Sequence, residues 1–308
     1  MRKKLLAGIL ALALCSTNMP LQTIFAEEFT SGNPDVMSEE ETPEIFTNEE
    51  QETAGETDEE LSVFSSEEVP EFNDTPDEAM AAAENVGIDL ANVSGGIYTI
   101  SSAGDYKFTC KKSPETSNRI VVDGTNTSEQ DNINIYLDNV NIKRPAGSAL
   151  QINNNVKATV TIYLTGTNNL ITSAQSSAGL QKANGAQLII DNSSNTTGEL
   201  IAQSKFGAGI GGYSSGSSSN ITISGGTVTA TSTYGAGIGG GQGGTGSNIT
   251  ISGGTVTATS DLGAGIGGGQ GKTGSDITIS GGTVTATSTN GAGIGGGQGE
   301  TGSDITMH

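Results

Sequence analysis

From Asn220 onward, apolar residues recur at every second position in three short groups per unit: Ile221 and Ile223, Val228 and Ala230, Ala236 and Ile238. Ser-Gly and Gly-rich corners separate the groups. Alternation over so few residues marks short strands that show one face to an interior. The same 28-residue unit restarts at Asn248, at Asp276 and at Asp304. A unit this short cannot bury its own apolar face and must stack on its neighbours. Three strands per unit at constant length predict an all-β fold, the coils of a parallel β-helix, and the hand of nearly all parallel crossovers makes it right-handed. Equivalent residues then lie about 4.8 Å apart along the axis. Ile221, Ile249, Ile277 and Ile305 form one column, Val228, Val256 and Val284 a second, and Ile238, Ile266 and Ile294 a third. Each such Ile taken out of water contributes on the order of 2 kcal/mol.

Earlier segments are diverged copies of the same coil. NINIYLDNVNIKRPAGSALQI (132–152) aligns with TVTIYLTGTNNLITSAQSSAGLQ (159–181) and then with QLIIDNSSNTTGELIAQSKFGAGIGG (187–212). Residues 87–130 read as an opening cap, with strands expected at Ile97 to Ile100, Tyr106 to Thr109 and Arg119 to Asp123. One β-helix domain is therefore expected over 87–308.

The first 86 residues have a different character. Arg2, Lys3 and Lys4 precede an apolar run from Leu5 to Cys15, too short to span a bilayer but suited to a signal-peptide core, with cleavage expected after Ala26. Leu14 stands before Cys15 where a lipoprotein signal wants a small side chain. Residues 27–86 read as a disordered acidic spacer: 21 acidic residues and no Lys or Arg lie between Glu27 and Glu84, and burial in such a segment cannot offset chain entropy. This segment alone carries a charge equal to the chain's net −21. The remainder is close to neutral and has no basic stripe, which argues against a nucleic-acid partner. No membrane span is expected in the mature chain. Once the leader is removed Cys110 is alone, so no disulfide framework is available.

The alternation GGIYTISSAGDYKFT, RIVVDG, NINIYLDNVNI, SALQINN, VTIYLTGTNNLIT resembles the cell-surface carbohydrate-binding β-helix domains of clostridial and related Gram-positive bacteria, which often carry GAGIGGG and ITISGGTVTA repeats. The resemblance runs from about Gly95 to the end. It implies a right-handed parallel β-helix at a bacterial surface or secreted from it, binding acidic or neutral plant-type polysaccharide such as cellulose or pectin, with calcium held by carboxylates in some members.

Several motifs yield to context. GAGIGG satisfies GxGxxG at Gly207, Gly235, Gly263 and Gly291, but a dinucleotide site needs one strand, one such turn and a helix. The GGQG runs lack the Asp of calcium-binding nonapeptide repeats and read as crowded glycine corners. Catalytic inventory is thin: His308 is the only histidine, and no Ser has a base near it in sequence, so no nucleophilic triad and no enzyme is expected.

Candidate binding residues fall in three groups. Asp123, Asp131 and Asp138 near Lys143 and Arg144 are either solvated turn ends or a calcium site, since a hard cation wants several oxygen ligands together. Phe206 and Tyr234 precede successive GAG elements, one coil apart, followed by Leu262 and Asn290. Either their rings form a platform for sugar stacking or they shield a corner of the core. Thr227, Thr229 and Thr231 with their equivalents in the next two units face outward on one flat wall. Strand propensity accounts for them, and such hydroxyl rows also resemble the ice-binding faces of antifreeze proteins.

The last unit stops after one strand with no polar cap, so a fragment of a longer chain, or end-to-end self-association, is expected. Taken together these readings predict an exported, non-catalytic carbohydrate-binding protein. The alternatives are a surface stalk or adhesin without glycan specificity, a polysaccharide lyase-like enzyme and an ice-binding protein.

Overall fold

A computed structural model describes residues 87–111, 113–192 and 197–308. The expected leader and acidic spacer lie outside the described residues. The chain forms a right-handed parallel β-helix of about seven coils with three walls. In the regular units the first wall is Ile221–Ile223, Gly246–Ile251, Gly274–Ile279 and Gly302–Met307, the second is Thr227–Ser232, Thr255–Ser260 and Thr283–Ser288, and the third is Ile238–Gly239, Ile266–Gly267 and Ile294–Gly295. All named strand pairs are parallel, each strand pairing with its equivalent one coil away.

The three expected columns form in register: Ile221 pairs with Ile249 and Ile249 with Ile277, Val228 with Val256, and Ile238 with Ile266. They continue backward into the diverged coils, where Ile133, Val160 and Leu188 extend the first column and Leu150, Leu180 and Ile210 the third. One buried apolar cluster runs through these coils. At the far end it opens, with Ile305 37% and Met307 61% exposed.

The opening segment differs from a separate cap. Strands Ile97–Ile100 and Arg119–Val122 already belong to the third wall, and Gly104–Thr109 to the first. Closure of this end falls to a shorter piece, a single turn of 3-10 helix at Leu90–Asn92 that buries Leu90. Asn118 holds it by donating from Nδ2 to the Leu90 carbonyl at 2.8 Å.

Corner chemistry was only partly foreseeable. Strand Thr159–Thr172 turns from first wall to second within itself, and buried Asn168 fills the inward position there. Its Oδ1 accepts from Val140 N and its Nδ2 donates to Thr165 O and Glu199 O, so the buried amide is satisfied at both ends. Each regular unit opens on a residue with positive φ: Asn220 at 59°, Asn248 at 48°, Asp276 and Asp304 at 53°. Asn and Asp are the side chains that visit this region most readily, which explains their interchange at this position.

In each regular unit the last residue of the second-wall strand is an inward serine that clips two coils together. Ser260 Oγ donates to Gly235 O at 2.7 Å and accepts from Gly263 N at 2.9 Å; Ser232 and Ser288 repeat the arrangement. Replacing buried Ser260 with Ala strands a donor and an acceptor. We expect a loss of about 2 kcal/mol, read as a lower midpoint of urea unfolding.

Candidate functional site

The aromatic column forms as its spacing predicts. The rings of Phe206 and Tyr234 lie parallel, 2° apart in orientation, with centroids separated by 4.9 Å. That separation matches one coil, so the ring faces point along the helix axis. The outer face of Phe206 carries the Lys205 ammonium at 5.2 Å from the ring centroid, and on the other side of Tyr234 the next coil places Leu262 at the equivalent position. Sugar stacking needs a free ring face, whereas these rings present their edges sideways. The geometry fits the corner-shielding reading better than the stacking platform. The mutual stack is worth about 1 kcal/mol, so Tyr234→Ala should lower stability by that order in thermal melts without changing retention on any glycan.

A second stack, Tyr136 on Tyr163, has centroids 4.9 Å apart. These two residues pair directly on the first wall, a juxtaposition readable in the aligned segments IYLD and IYLT.

The three aspartates do not converge. Asp131 precedes the strand Asn132–Asp138 and Asp138 ends it, which puts them about 20 Å apart at the rise of an extended strand. Each is engaged locally. Asp123 accepts from Asn155 Nδ2 at 2.7 Å and from Thr125 Oγ1 and N at 2.8 and 3.1 Å, which holds its carboxyl below the usual range, the Asn155 bond contributing most. Asp131 accepts from Ser128 N and Oγ, and Asp138 pairs with Lys107 at 3.7 Å. Among the described residues no three His, Cys, Asp or Glu side chains gather as a metal would require. The calcium expectation at Asp123, Asp131 and Asp138 is corrected accordingly: they are bonded turn ends.

The threonine wall stands in register over three coils, Thr227, Thr255 and Thr283 forming one column, with those begun by Thr229 and Thr231 beside it. One coil earlier these columns carry Glu199, Ile201 and Gln203, so the hydroxyl array is confined to the regular units.

Sequence reading missed the most continuous polar feature, a shallow groove of about 410 Å³ along the corner where the third wall passes into the first. Successive coils contribute Glu129, Lys157, Gln187, Asn220 and Asn248, with Thr222 and Thr250 on its floor. Gln187 and Asn220 hold equivalent positions, because Leu188 pairs with Ile221. Asn248 Nδ2 donates to Asn220 Oδ1 at 2.6 Å, and Asn220 Nδ2 donates to Gly185 O. A glutamine ladder runs through the glycine-rich corners as well, Gln242 Nε2 to Gln270 Oε1 and Gln270 Nε2 to Gln298 Oε1, both at 3.1 Å. The alternation itself could have pointed to the groove, since Asn220 and Thr222 are the outward members of the NITI strand.

Residues 221–242, 249–270 and 277–298 match the family model of a beta helix repeat. No curated protein and no solved structure matches the chain. The matched segments fall within the three regular coils, so fold and match agree on one class, a parallel β-helix repeat protein. Among the described residues no helix is long and apolar enough to cross a membrane.

Proposed function

We propose that the chain is an exported, non-catalytic protein that binds polysaccharide along the side of its β-helix, at a bacterial surface or secreted from it. The observation that carries this reading is the groove: amide and hydroxyl groups repeat at one-coil intervals along one corner, a periodic lining suited to a periodic ligand. Its breadth and polarity suit hydrogen bonding to sugar hydroxyls, and the aromatic columns take no part. A thin catalytic inventory in the sequence, with His308 its only histidine, is the support for binding without turnover. The leader-like run before Ala26 and the resemblance to carbohydrate-binding domains supply the location and the ligand class.

Contacts of this kind are weak singly and gain from repetition. Retention on insoluble cellulose and on pectin, with and without calcium, tests the reading. Thr222→Val with Thr250→Val keeps side-chain shape and strand propensity while removing two groove hydroxyls, and should weaken retention roughly tenfold at about 1 kcal/mol or less per hydrogen bond. If wild type is retained on no glycan, the stalk reading takes over. The nearly identical, in-register coils from Thr227 to Ser288 favour that second reading, because repeats that only add length need nothing else.

A further inference from the structure

Outside the groove, two arginines meet without an acid between them. Arg119 opens a third-wall strand and Arg144 ends a second-wall strand one coil on. The two coils are in register here, through a parallel bridge from Thr116 to Ile142. Both residues are half-buried and their guanidiniums reach the same point: a methyl built on Gly147 would stand 3.0 Å from Nη1 of Arg119 and 3.7 Å from Nη2 of Arg144. Neither is in an ion pair. The two salt bridges among the described residues are Lys107 with Asp138 and Lys143 with Glu115.

Their hydrogen bonding is incomplete too. Arg119 donates from Nη1 to Gln151 Oε1 at 3.0 Å, while its Nε is buried and has no partner. Arg144 donates from Nε to Ala146 O at 2.9 Å and from Nη1 to Ser117 O. A guanidinium has five N–H donors, so both have several to spare. Burial, and after it the Arg144 charge, pushes Arg119 below the ordinary arginine range. Two like charges brought together with donors unspent are stabilised by a shared anion, and the planar fork of arginine matches carboxylate, sulfate and phosphate oxygens.

We propose that Arg119 and Arg144, facing each other across Gly147, form a binding site for an oxyanion. The site lies at the corner between second and third walls, away from the polysaccharide groove, and does not depend on the groove's role. The shared chemistry is two or three oxygens on one centre, carried either by a free inorganic anion or by an acidic sugar.

Isothermal titration of the full chain at low salt tests it, with sodium sulfate, sodium phosphate, sodium galacturonate and neutral galactose as separate titrants. Saturable binding of at least one anion and none of galactose is expected. Preference for galacturonate assigns the site to acidic sugars, and preference for sulfate or phosphate assigns it to free tetrahedral anions. Arg119→Gln and Arg144→Gln should each weaken the binding by roughly tenfold or more, as loss of a charged hydrogen bond implies. Added sodium chloride should weaken it in wild type. Absence of saturable binding by any of the three anions to the wild-type chain overturns the proposal without recourse to the variants. Unchanged affinity in both folded Gln variants overturns it equally.

Discussion

A Gly239→Ala chain is expected to lose more than about 4 kcal/mol of stability, beyond the range of ordinary substitutions. Two causes act at one atom. Gly239 holds φ at +132°, where a side chain is strained, and an added Cβ would lie 2.1 Å from the carbonyl oxygen of Gly267 in the next coil. That oxygen belongs to backbone already paired across the third wall, Gly239 being in register with Gly267, so it cannot move without breaking the ladder. Gly271→Ala provides the control. It has φ at +71° but nothing within 4 Å of an added Cβ, so conformational strain alone remains, about 1–2 kcal/mol. Urea unfolding of both variants separates crowding from strain. A Gly239→Ala protein as stable as Gly271→Ala would show that the coils can spread at this corner.

Stability should also rise with pH just above neutrality, because of one buried lysine. Lys182 occupies the inward position that Ile152 fills in the preceding coil and is 0% exposed. Its Nζ donates to the carbonyls of Ala183, at 2.8 Å, and of Ser219. Burial pushes its ammonium down to about 8, against an ordinary value near 10.4. Between these two values the unfolded chain binds more protons than the folded one, so stability climbs as pH rises through the window and is lowest below it. The complete effect is about 3 kcal/mol and the part reached between pH 7 and pH 9 about 1 kcal/mol. Burial also raises the Cys110 thiol, which acts with the opposite sign at higher pH, so the comparison belongs below pH 9. Denaturant unfolding of wild type and Lys182→Met at both pH values checks this. The rise should be absent from the variant, where only the opposing thiol contribution is left, and a wild-type stability that is flat or falling over this interval would refute the assignment.

Neither the buried lysine nor the meeting of the two arginines stands out in the one-dimensional pattern, although half of the signal is present there. Aligning LQI at Leu150 with LQK at Leu180 places Lys182 on the inward phase of the alternation, so its burial was legible. The partners at Ala183 and Ser219 were not, because they depend on the path of an irregular corner. For Asp131 and Asp138 the strand between them already implied separation, since six extended residues divide the two carboxylates. The Phe206 and Tyr234 spacing implied neighbours but said nothing of ring orientation. A face turned along the axis and a face turned to solvent share the same sequence spacing, and packing against Lys205 and the next coil chose the first.

Sequence alone determined the architecture, the length of a coil and the register of its columns. A period of 28 repeated with matching residues leaves one way to stack Ile on Ile and Val on Val, and any slip by one residue would turn the apolar set outward. Tertiary structure decided what happens at the corners, where no periodicity constrains the chain. There, backbone dihedrals and contacts between coils joined Lys182 to the Ser219 carbonyl and set Arg119 facing Arg144 across Gly147. These are meetings of groups from different coils at irregular turns. Their distances depend on corner geometry that residue spacing does not encode.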